Sequence, residues 1–447
     1  MSALKRSAAI QTKVLSVAET VTKYIEVIEK STSNNFLAIS KDQALAQAKK
    51  VQTQIDKGDI LSPLAGIPVA VKDNITTLGI ETTCASRVLK GYLPVFNATA
   101  IDRLEQAGMI VVGKLNMNEF SMGNVSDRNG SPANAAAAAI ASGEVPLVIS
   151  SDTGGGIRQS SAFCGVTGIK PTYGTVSRHG LIAHASSMDQ IGVIGSSIAD
   201  CAAMLSVISG ADHMDSTCSI KKPFDFNKNS NKDLSLSGLQ IGIPRNCCKN
   251  SIASIAPAVM ELKEAGAEIT EFDMPLLEHM VSTYYIIACA EASSNLAKFD
   301  GLKYGYRSPN AETLSDVYRL SRGEGFGLEV KERIMFGSLV LSSDFYDTYY
   351  KKALQIRTLI KEEYNRLFKK YDIVIAPVSS NRLDAITVSV NLAGLPAVAL
   401  PCGKDSQGNP IGIQLIGTAF SEEKLINTAC VYQNLTPHHI QKPGGVV

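Results

Sequence analysis

A unit of helix, polar break and short β-branched strand recurs along this chain and constrains the fold more than any other feature. The unit occurs at 98–117 ("ATAIDRLEQAGMIVVGKLNM"), at 257–275 and at 353–378. At its first occurrence, Gly108 stands where the helix should end and the strand should follow. Helices that alternate with short apolar strands are typical of an α/β sheet with mainly parallel neighbours. The sequence therefore predicts an α/β fold.

Other segments fit this architecture. Residues 41–57 are rich in helix formers, and Gly58 is placed to cap the end of that helix. The stretch at 64–75 ("LAGIPVAVKDNI") predicts a short buried strand that enters a loop. A polar tract at about 210–235 predicts a long surface excursion, and the region at about 280–370 predicts mainly helices.

The charge balance excludes a broad electrostatic attraction to nucleic acids or membranes. The 447 residues contain 43 Lys and Arg against 42 Asp and Glu, a formal net charge of +1. No run of about 18 apolar residues occurs, so no transmembrane helix is expected. A secretory signal is not expected either. The nine cysteines form no C-x-x-C pair, which favours reduced thiols in the cytoplasm, with a mitochondrial or plastid matrix also open.

Two stretches carry candidate chemistry. Lys72 follows an apolar run, so it is either a surface charge at a strand end or a buried amine whose lowered pKa lets it act as a base. In "SDTGGGIRQ", at 151–159, the backbone N–H groups of 153–156 either form a nest for an oxyanion or belong to a plain tight turn. A phosphate-binding loop is disfavoured, because the chain has no G-x-x-x-x-G-K-[ST] motif.

Longer tracts resemble the amidase signature family. They are "GIPVAVKDNI", "SDTGGGIRQSSAFCGVTGIKPTYGTVSRHGL" and "SSMDQIG". Tracts at 291–308, 321–360 and 390–403 are similar to one branch of the family, the glutamine-hydrolysing subunits of tRNA-dependent amidotransferases. The resemblance implies the amidase signature fold as a single domain over 1–447. That fold has a mixed, mostly parallel central sheet flanked by helices, with the helix-rich part as a subregion.

The resemblance also implies amide hydrolysis by a Ser-Ser-Lys relay. A neutral lysine takes a proton from a relay serine, which in turn deprotonates the nucleophilic serine. The positions that match are Lys72 as the base, Thr153, Gly154 and Gly155 as the oxyanion hole, Pro132 as the relay and Gly156 as the nucleophile.

Two of these positions depart from the family pattern. Gly156 has no hydroxyl to attack an amide, and Pro132 has no proton to relay. A one-residue slip in the comparison would put Ser131 at the relay instead. Rescue by Ser160 or Ser161 is not expected, because a nucleophile must lie within hydrogen-bond reach of its base.

Shortened loops accompany these departures. The stretches at 123–130 and 378–384 look shorter than in the family, and an alanine run at 134–143 predicts a helix that Asn134 would cap. Two explanations stay open. The chain is a decayed amidase kept for binding, or the written sequence lacks loop residues and side chains that the molecule has. The intact remainder of the oxyanion loop favours the second.

Three residues are candidates for holding an amino-acid substrate. The resemblance implies that Arg357 binds the carboxylate through a bidentate fork, that Asp384 binds the ammonium and that Tyr306 gives a third contact. Each is otherwise an ordinary surface or structural residue. Asp189 and Gln190 are expected to brace the active-site loops.

The resemblance implies a chain that works with partners and needs no cofactor of its own. Glutamine would be hydrolysed here, and ammonia would pass to a kinase and transamidase subunit that uses ATP and Mg²⁺ to amidate a misacylated tRNA. A small third subunit would complete the complex. No metal is expected, because His438 and His439 lack a third ligand. A free-standing small-amide amidase and a catalytically dead scaffold subunit stay open as alternatives.

Overall fold

The computed structural model describes residues 1–59, 62–123, 135–219, 224–225, 235–247, 253–378 and 384–440. Its frame is one sheet of eleven strands. The strands are β1 (Phe36–Ile39), β2 (Pro68–Lys72), β3 (Ile110–Leu115), β4 (Leu147–Asp152), β5 (Thr167–Lys170), β6 (Gln190–Gly195), β7 (Gln240–Pro244), β8 (Glu268–Phe272), β9 (Ile373–Val378), β10 (Ala397–Lys404) and β11 (Pro410–Gly417). Their order in space is β1-β3-β2-β4-β6-β5-β10-β11-β9-β7-β8.

Helices precede, connect and follow the strands. They are α1 (Ala3–Gln11), α2 (Val17–Lys30), α3 (Lys41–Lys57), α4 (Thr99–Gln106), α5 (Ala135–Ala141), α6 (Arg158–Cys164), α7 (Ile198–Ile208), α8 (Ala256–Glu264), α9 (Leu277–Asn295), α10 (Leu314–Gly325), α11 (Leu328–Val340), α12 (Lys351–Leu367), α13 (Ala385–Ala393) and α14 (Glu422–Leu435). Short helical turns lie at Arg87–Leu89, Glu119–Ser121, Leu296–Lys298 and Ser343–Phe345, and a π-helical turn at Tyr346–Tyr350 precedes α12.

The α/β class and the mixed sheet are confirmed, but the sheet is not mostly parallel. Within the described residues, β2 pairs in parallel with β3 and β4, and β7 with β8 and β9, whereas the other six neighbouring pairs are antiparallel. The helix-to-strand units in the sequence supply only β3, β8 and β9. The middle of the sheet comes from the glycine-rich tract that forms β5 and β6 and from the β10–β11 hairpin. Parallel pairing needs a long crossover connection, usually a helix, and the described residues of these two segments form no helix between the strands.

The local predictions are confirmed where the structure describes them. Helix α3 ends at Gly58, which has the left-handed φ of 84° that a C-terminal cap takes. All five residues of β2 are buried, as the apolar run at 64–75 predicts. The alanine run forms α5, whose residues pack into the core; its predicted cap, Asn134, lies outside the described residues.

The sheet brings the two candidate stretches to one edge. Strands β2 and β4 are parallel neighbours in the register Val69↔Leu147 to Val71↔Ile149. Because the carboxyl ends of parallel strands meet at the same edge of a sheet, Lys72 at the end of β2 lies beside the end of β4 and the glycine turn that follows it. None of the helices in the described ranges is long and apolar enough to cross a membrane.

The helix-rich region at about 280–370 packs helices very closely, and this generates a prediction. A Cβ added to Gly337 of α11 would overlap the backbone carbonyl oxygen of Cys289 in α9, so Gly337→Ala must push the two helices apart. We expect a loss of about 1–3 kcal/mol in the free energy of unfolding, measured by urea denaturation.

Gly323→Ala in α10 is the matched control. A Cβ there meets no atom within 4 Å, so this variant should be as stable as the parent protein or more stable by up to about 1 kcal/mol. Equal stability of the two variants would contradict the close packing of α9 and α11.

Candidate active site

A small cavity opens at the shared edge of β2 and β4. Its volume is about 60 Å³. The described residues that line it are Lys72, Met117, Asn118, Ser121, Gly123, Ser151, Thr153, Gly154, Gly156, Gln159 and Tyr284. The cavity therefore collects the predicted base, most of the predicted oxyanion loop and the predicted nucleophile position.

Lys72 is buried, which excludes the surface-charge alternative. The residue is 8% exposed, and its Nζ donates to the backbone oxygen of Ser151 at 3.3 Å and to Ser151 Oγ at 3.1 Å. Burial lowers the pKa of Lys72 to about 8, and the nearby carboxylates of Asp152 and Asp189 only partly oppose that effect. A sizeable fraction of this amine is therefore neutral near pH 7 to 8, as a general base requires.

The glycine turn is shaped by the carboxylate of Asp152. One Asp152 oxygen accepts the N–H of Gly155 at 2.8 Å, and the other accepts the N–H groups of Ile157 and Arg158. Gly155 has a φ of 125°, which residues with a side chain rarely adopt. At Gly154 the phenol of Tyr284 approaches so closely that an added Cβ would lie 2.5 Å from it. The glycines at these positions are therefore required by the turn and by the close approach of Tyr284.

A buried ion pair fixes Asp152. The Arg158 guanidinium donates to both oxygens of Asp152 at 3.1 Å, and to the side-chain oxygens of Asn391 and Gln414. It also donates to the backbone oxygen of Thr387. Burial would raise the pKa of Asp152, but the Arg158 charge outweighs it and holds that pKa well below its usual range. The carboxylate is thus charged at neutral pH and accepts hydrogen bonds from the turn.

The predicted oxyanion hole needs one correction. The N–H of Gly155 donates to Asp152 at 2.8 Å, so this donor already has a partner inside the turn. The N–H groups of Thr153, Gly154 and Gly156 have no acceptor among the residues that the structure describes. These three line the cavity, and their role in holding an oxyanion stays a prediction.

Gly156 lies where the resemblance places the nucleophile. An added Cβ would be 3.6 Å from Lys72 Nζ, so this position faces the amine. The same Cβ would also be 2.8 Å from the backbone oxygen of Ser151, closer than real Cβ atoms come to such an oxygen. The surrounding backbone therefore fits glycine. The relay candidates Pro132 and Ser131 lie outside the described residues.

Asp189 braces the site, as expected from the sequence. Its carboxylate accepts the hydroxyl of Thr153 at 2.5 Å and the N–H groups of His184 and Ala185. Burial raises the pKa of Asp189 to about 6. Gln190 accepts the N–H of Gly174 and so ties a second loop to the same strand end.

Arg357, the carboxylate candidate, does not line the cavity. Its guanidinium donates to the hydroxyl of Ser187 at 2.6 Å, to the Ser187 backbone oxygen at 2.8 Å and to the backbone oxygen of Leu392 at 2.8 Å. Glu291 accepts the N–H and hydroxyl of the same serine. In this structure Arg357 therefore joins α12 to the loop before β6 and to the end of α13.

The other two substrate candidates are also placed elsewhere. Tyr306 donates its hydroxyl to Glu324 at 2.8 Å and lines a separate cavity. Asp384 caps α13 by accepting the N–H of Ile386 at 3.1 Å. The structure brings none of the three to the described wall around Lys72, so their substrate contacts stay predictions.

Sequence reasoning does not single out three residues at this site, which are Ser151, Asn74 and Tyr284. Asn74 donates to the hydroxyl of Ser151 at 2.9 Å and to that of Ser121 at 3.3 Å. Asn74 lies two residues after Lys72, inside the tract "VKDNI", and this proximity could have indicated that it belongs to the site. Tyr284 comes from a distant helix, and no local pattern indicates that it packs on Gly154. Among the described residues, no cluster of three His, Cys, Asp or Glu side chains could hold a metal ion.

Comparison with known proteins gives one consistent result. Residues 19–426 match the family model described as Amidase. The chain is 45% identical over 475 aligned positions, covering 96% of each protein, to a protein of Lachnoclostridium phytofermentans that is named as the A subunit of glutamyl-tRNA(Gln) amidotransferase. The aligned length exceeds the 447 residues of this chain, so that relative has segments that this chain lacks.

Solved structures agree. The crystal structure of the A subunit of glutamyl-tRNA(Gln) amidotransferase from Thermotoga maritima is 32% identical, with a TM-score of 0.75 over 96% of this chain and 94% of that one. A native peptide amidase from Stenotrophomonas maltophilia has a TM-score of 0.83 at 24% identity, over 99% of this chain and 98% of that one. The second likeness is one of fold alone. The resemblance read from the motifs is thereby confirmed.

The buried pair of Asp152 and Arg158 generates a stability prediction. Arg158→Met leaves the Asp152 carboxylate buried without its counter-charge, so we expect a loss of about 3–5 kcal/mol in the free energy of unfolding. The measurement is chemical denaturation followed by circular dichroism.

Arg319→Met is the control, because Arg319 pairs with Asp316 at 3.0 Å in a surface pair in which Arg319 itself is well exposed. That variant should change the free energy of unfolding by less than about 1 kcal/mol. A small effect at both positions would be inconsistent with Arg158 holding the turn.

Proposed function

Because the chain belongs to the amidase family, we propose that it is the A subunit of a tRNA-dependent amidotransferase and that it hydrolyses glutamine to release ammonia. The curated relative described above carries the name of this subunit, and it aligns with this chain over nearly the whole length of both proteins. The identity of 45% to that relative, against 24% to the peptide amidase, supports a matching role and makes a free-standing amidase the weaker alternative. The assignment of 1–447 to a single amidase domain is part of the same proposal.

The observation that carries the proposal is the pairing of a buried amine with a nest of N–H groups. Lys72 and the N–H groups of Thr153, Gly154 and Gly156 line one cavity. Amide hydrolysis needs a base to activate a nucleophile and donors to stabilise the oxyanion of the tetrahedral intermediate. Lys72, which is hydrogen-bonded to Ser151, supports the first role. The N–H groups support the second, in a turn that Asp152 shapes and that Asp189 holds through the Thr153 hydroxyl.

The released ammonia needs a partner that consumes it. In the proposed complex, a B subunit uses ATP and Mg²⁺ to activate the acyl group of Glu-tRNA(Gln) or Asp-tRNA(Asn) and then amidates it. A small C-like subunit completes the assembly. ATP and Mg²⁺ belong to the B subunit in this proposal, and this chain contributes glutamine binding and hydrolysis. The proposed compartment is the cytoplasm, or the matrix of a mitochondrion or plastid.

The catalytically dead scaffold is the alternative that Gly156 favours, and one measurement separates it from the proposal. The full chain is co-expressed with B and C-like subunits from a related bacterium, and ammonia release from glutamine is measured on the purified complex. Ammonia release supports the glutaminase. Co-purification without any ammonia release would leave only the binding role.

The pKa of Lys72 generates a pH prediction. The base is the neutral amine, so kcat/KM for glutamine should rise with pH through about 8 and level off above it. Lys72→Met should lower kcat/KM by about 10³-fold or more and abolish this rise, because the base is removed.

Lys114→Met tests whether any buried lysine has this effect. Burial also lowers the pKa of Lys114 to about 8, but its Nζ donates to Ile75 and Thr82 and it does not line the cavity. The folded Lys114→Met protein should keep the pH profile. If Lys114→Met also abolished the rise of kcat/KM with pH, the rise could not be attributed to Lys72 as the base.

A further inference from the structure

We propose that the hydroxyl of Ser151 replaces the missing nucleophile, with Lys72 as its base, and that it attacks the side-chain carboxamide of glutamine. This inference rests on the proposed glutaminase function and names the group that carries out its first step. It assigns a catalytic role to the last residue but one of β4, a residue that lies before the glycine turn and not within it.

The first support is direct contact between nucleophile and base. Ser151 Oγ lies 3.1 Å from Lys72 Nζ, within the hydrogen-bond reach that an activated nucleophile requires. Asn74 donates to the same oxygen at 2.9 Å and so orients it. When the amine is neutral, the Ser151 hydroxyl can donate its proton to Nζ across the same contact.

The second support is the space left by Gly156. A Cβ at that position would lie 3.6 Å from Lys72 Nζ and 2.8 Å from the Ser151 backbone oxygen. Any side chain at 156 would therefore stand beside the Lys72–Ser151 pair. Glycine leaves that side open, and Ser151 is part of the cavity wall. Ser151 and Lys72 therefore share the cavity wall with a position that carries no side chain.

The third support is elimination among the described serines. Ser121 also lines the cavity, but its hydroxyl is bonded to Asn74 and not to the amine. Ser160 and Ser161 are fully buried in α6 and do not line the cavity. Ser151 alone among these combines a place on the cavity wall with a hydrogen bond to Lys72.

The reaction balances with groups already at the site. Ser151 Oγ forms a bond to the carboxamide carbon while its proton moves to Lys72 Nζ, and the N–H groups of Thr153, Gly154 and Gly156 face the oxyanion. The C–N bond then breaks, Lys72 returns the proton to the leaving nitrogen and ammonia departs. Water attacks the resulting ester, again with Lys72 as the base, which releases glutamate and restores the Ser151 hydroxyl.

The decisive experiment compares Ser151→Ala with Ser150→Ala. Both residues lie on β4 and are almost fully buried, but Ser150 does not line the cavity and its hydroxyl has no partner among the described residues. Ammonia release from glutamine is measured on the complex with the B and C-like subunits. We expect Ser151→Ala to lose activity by about 10³-fold and Ser150→Ala to keep it.

A second measurement does not depend on a variant that folds. The wild-type complex is treated with a fluorophosphonate, which forms a stable bond to activated serines, and the modified residue is located by peptide mass spectrometry. We expect the label on Ser151, with a labelling rate that rises through about pH 8 as Lys72 loses its proton. Glutamine at saturating concentration should protect the site.

The outcomes separate the inference from the proposed function. Ammonia release that survives Ser151→Ala, or a label on Ser121 or at 124–134, overturns the role of Ser151 and leaves the glutaminase in place. A wild-type complex that assembles but neither releases ammonia nor takes the label overturns both. Loss of activity in Ser151→Ala together with a label on Ser151 supports both.

Discussion

The contact between the Asp152 carboxylate and the Arg158 guanidinium is the interaction on which the rest of the site depends. It lies in a fully buried environment, where an unpaired charge would be very costly. Arg158 in turn reaches α13 and β11 through Thr387, Asn391 and Gln414, so one side chain ties the glycine turn to distant parts of the sheet. The turn is therefore held by hydrogen bonds to a fixed carboxylate although it consists largely of glycine, and positioned donors are what oxyanion stabilisation needs.

The order and direction of the strands explain how a few residues at the strand ends form most of the site. Two parallel neighbours, β2 and β4, end at one edge and deliver the amine, the serine and the turn within a few residues of each other. The antiparallel neighbour β6 pairs along the whole of β4, and the loop that leads into β6 carries Asp189, which bonds to Thr153. The mixed direction of the strands is thus part of the site's design, since a purely parallel sheet would place the start of β6 at the opposite edge.

Local pattern in the sequence predicts some parts of this molecule and not others. Helix α3 with its Gly58 cap, the buried strand β2 and the amine at its end follow from apolar periodicity and turn chemistry. The direction of β5 and β6 does not follow, because pairing is decided between segments far apart in the chain. The contact of Arg357 with Ser187 cannot be predicted for the same reason, and neither can the contact of Tyr284 with Gly154. Hydrogen bonds inside the turn are equally invisible, which is why sequence reasoning places Gly155 among the oxyanion donors.

The fit of the backbone around Gly156 has a consequence for any attempt to place a serine there. A serine restored there would push against the carbonyl of Ser151, and Ser151 is held in the sheet by its pairing with Ile191. Placing a serine at 156 is therefore not a change at one site alone, because the end of β4 must move before a Cβ fits there. The residue at 156 and the position of the β4 end are thus coupled, so that a substitution at one requires a shift of the other.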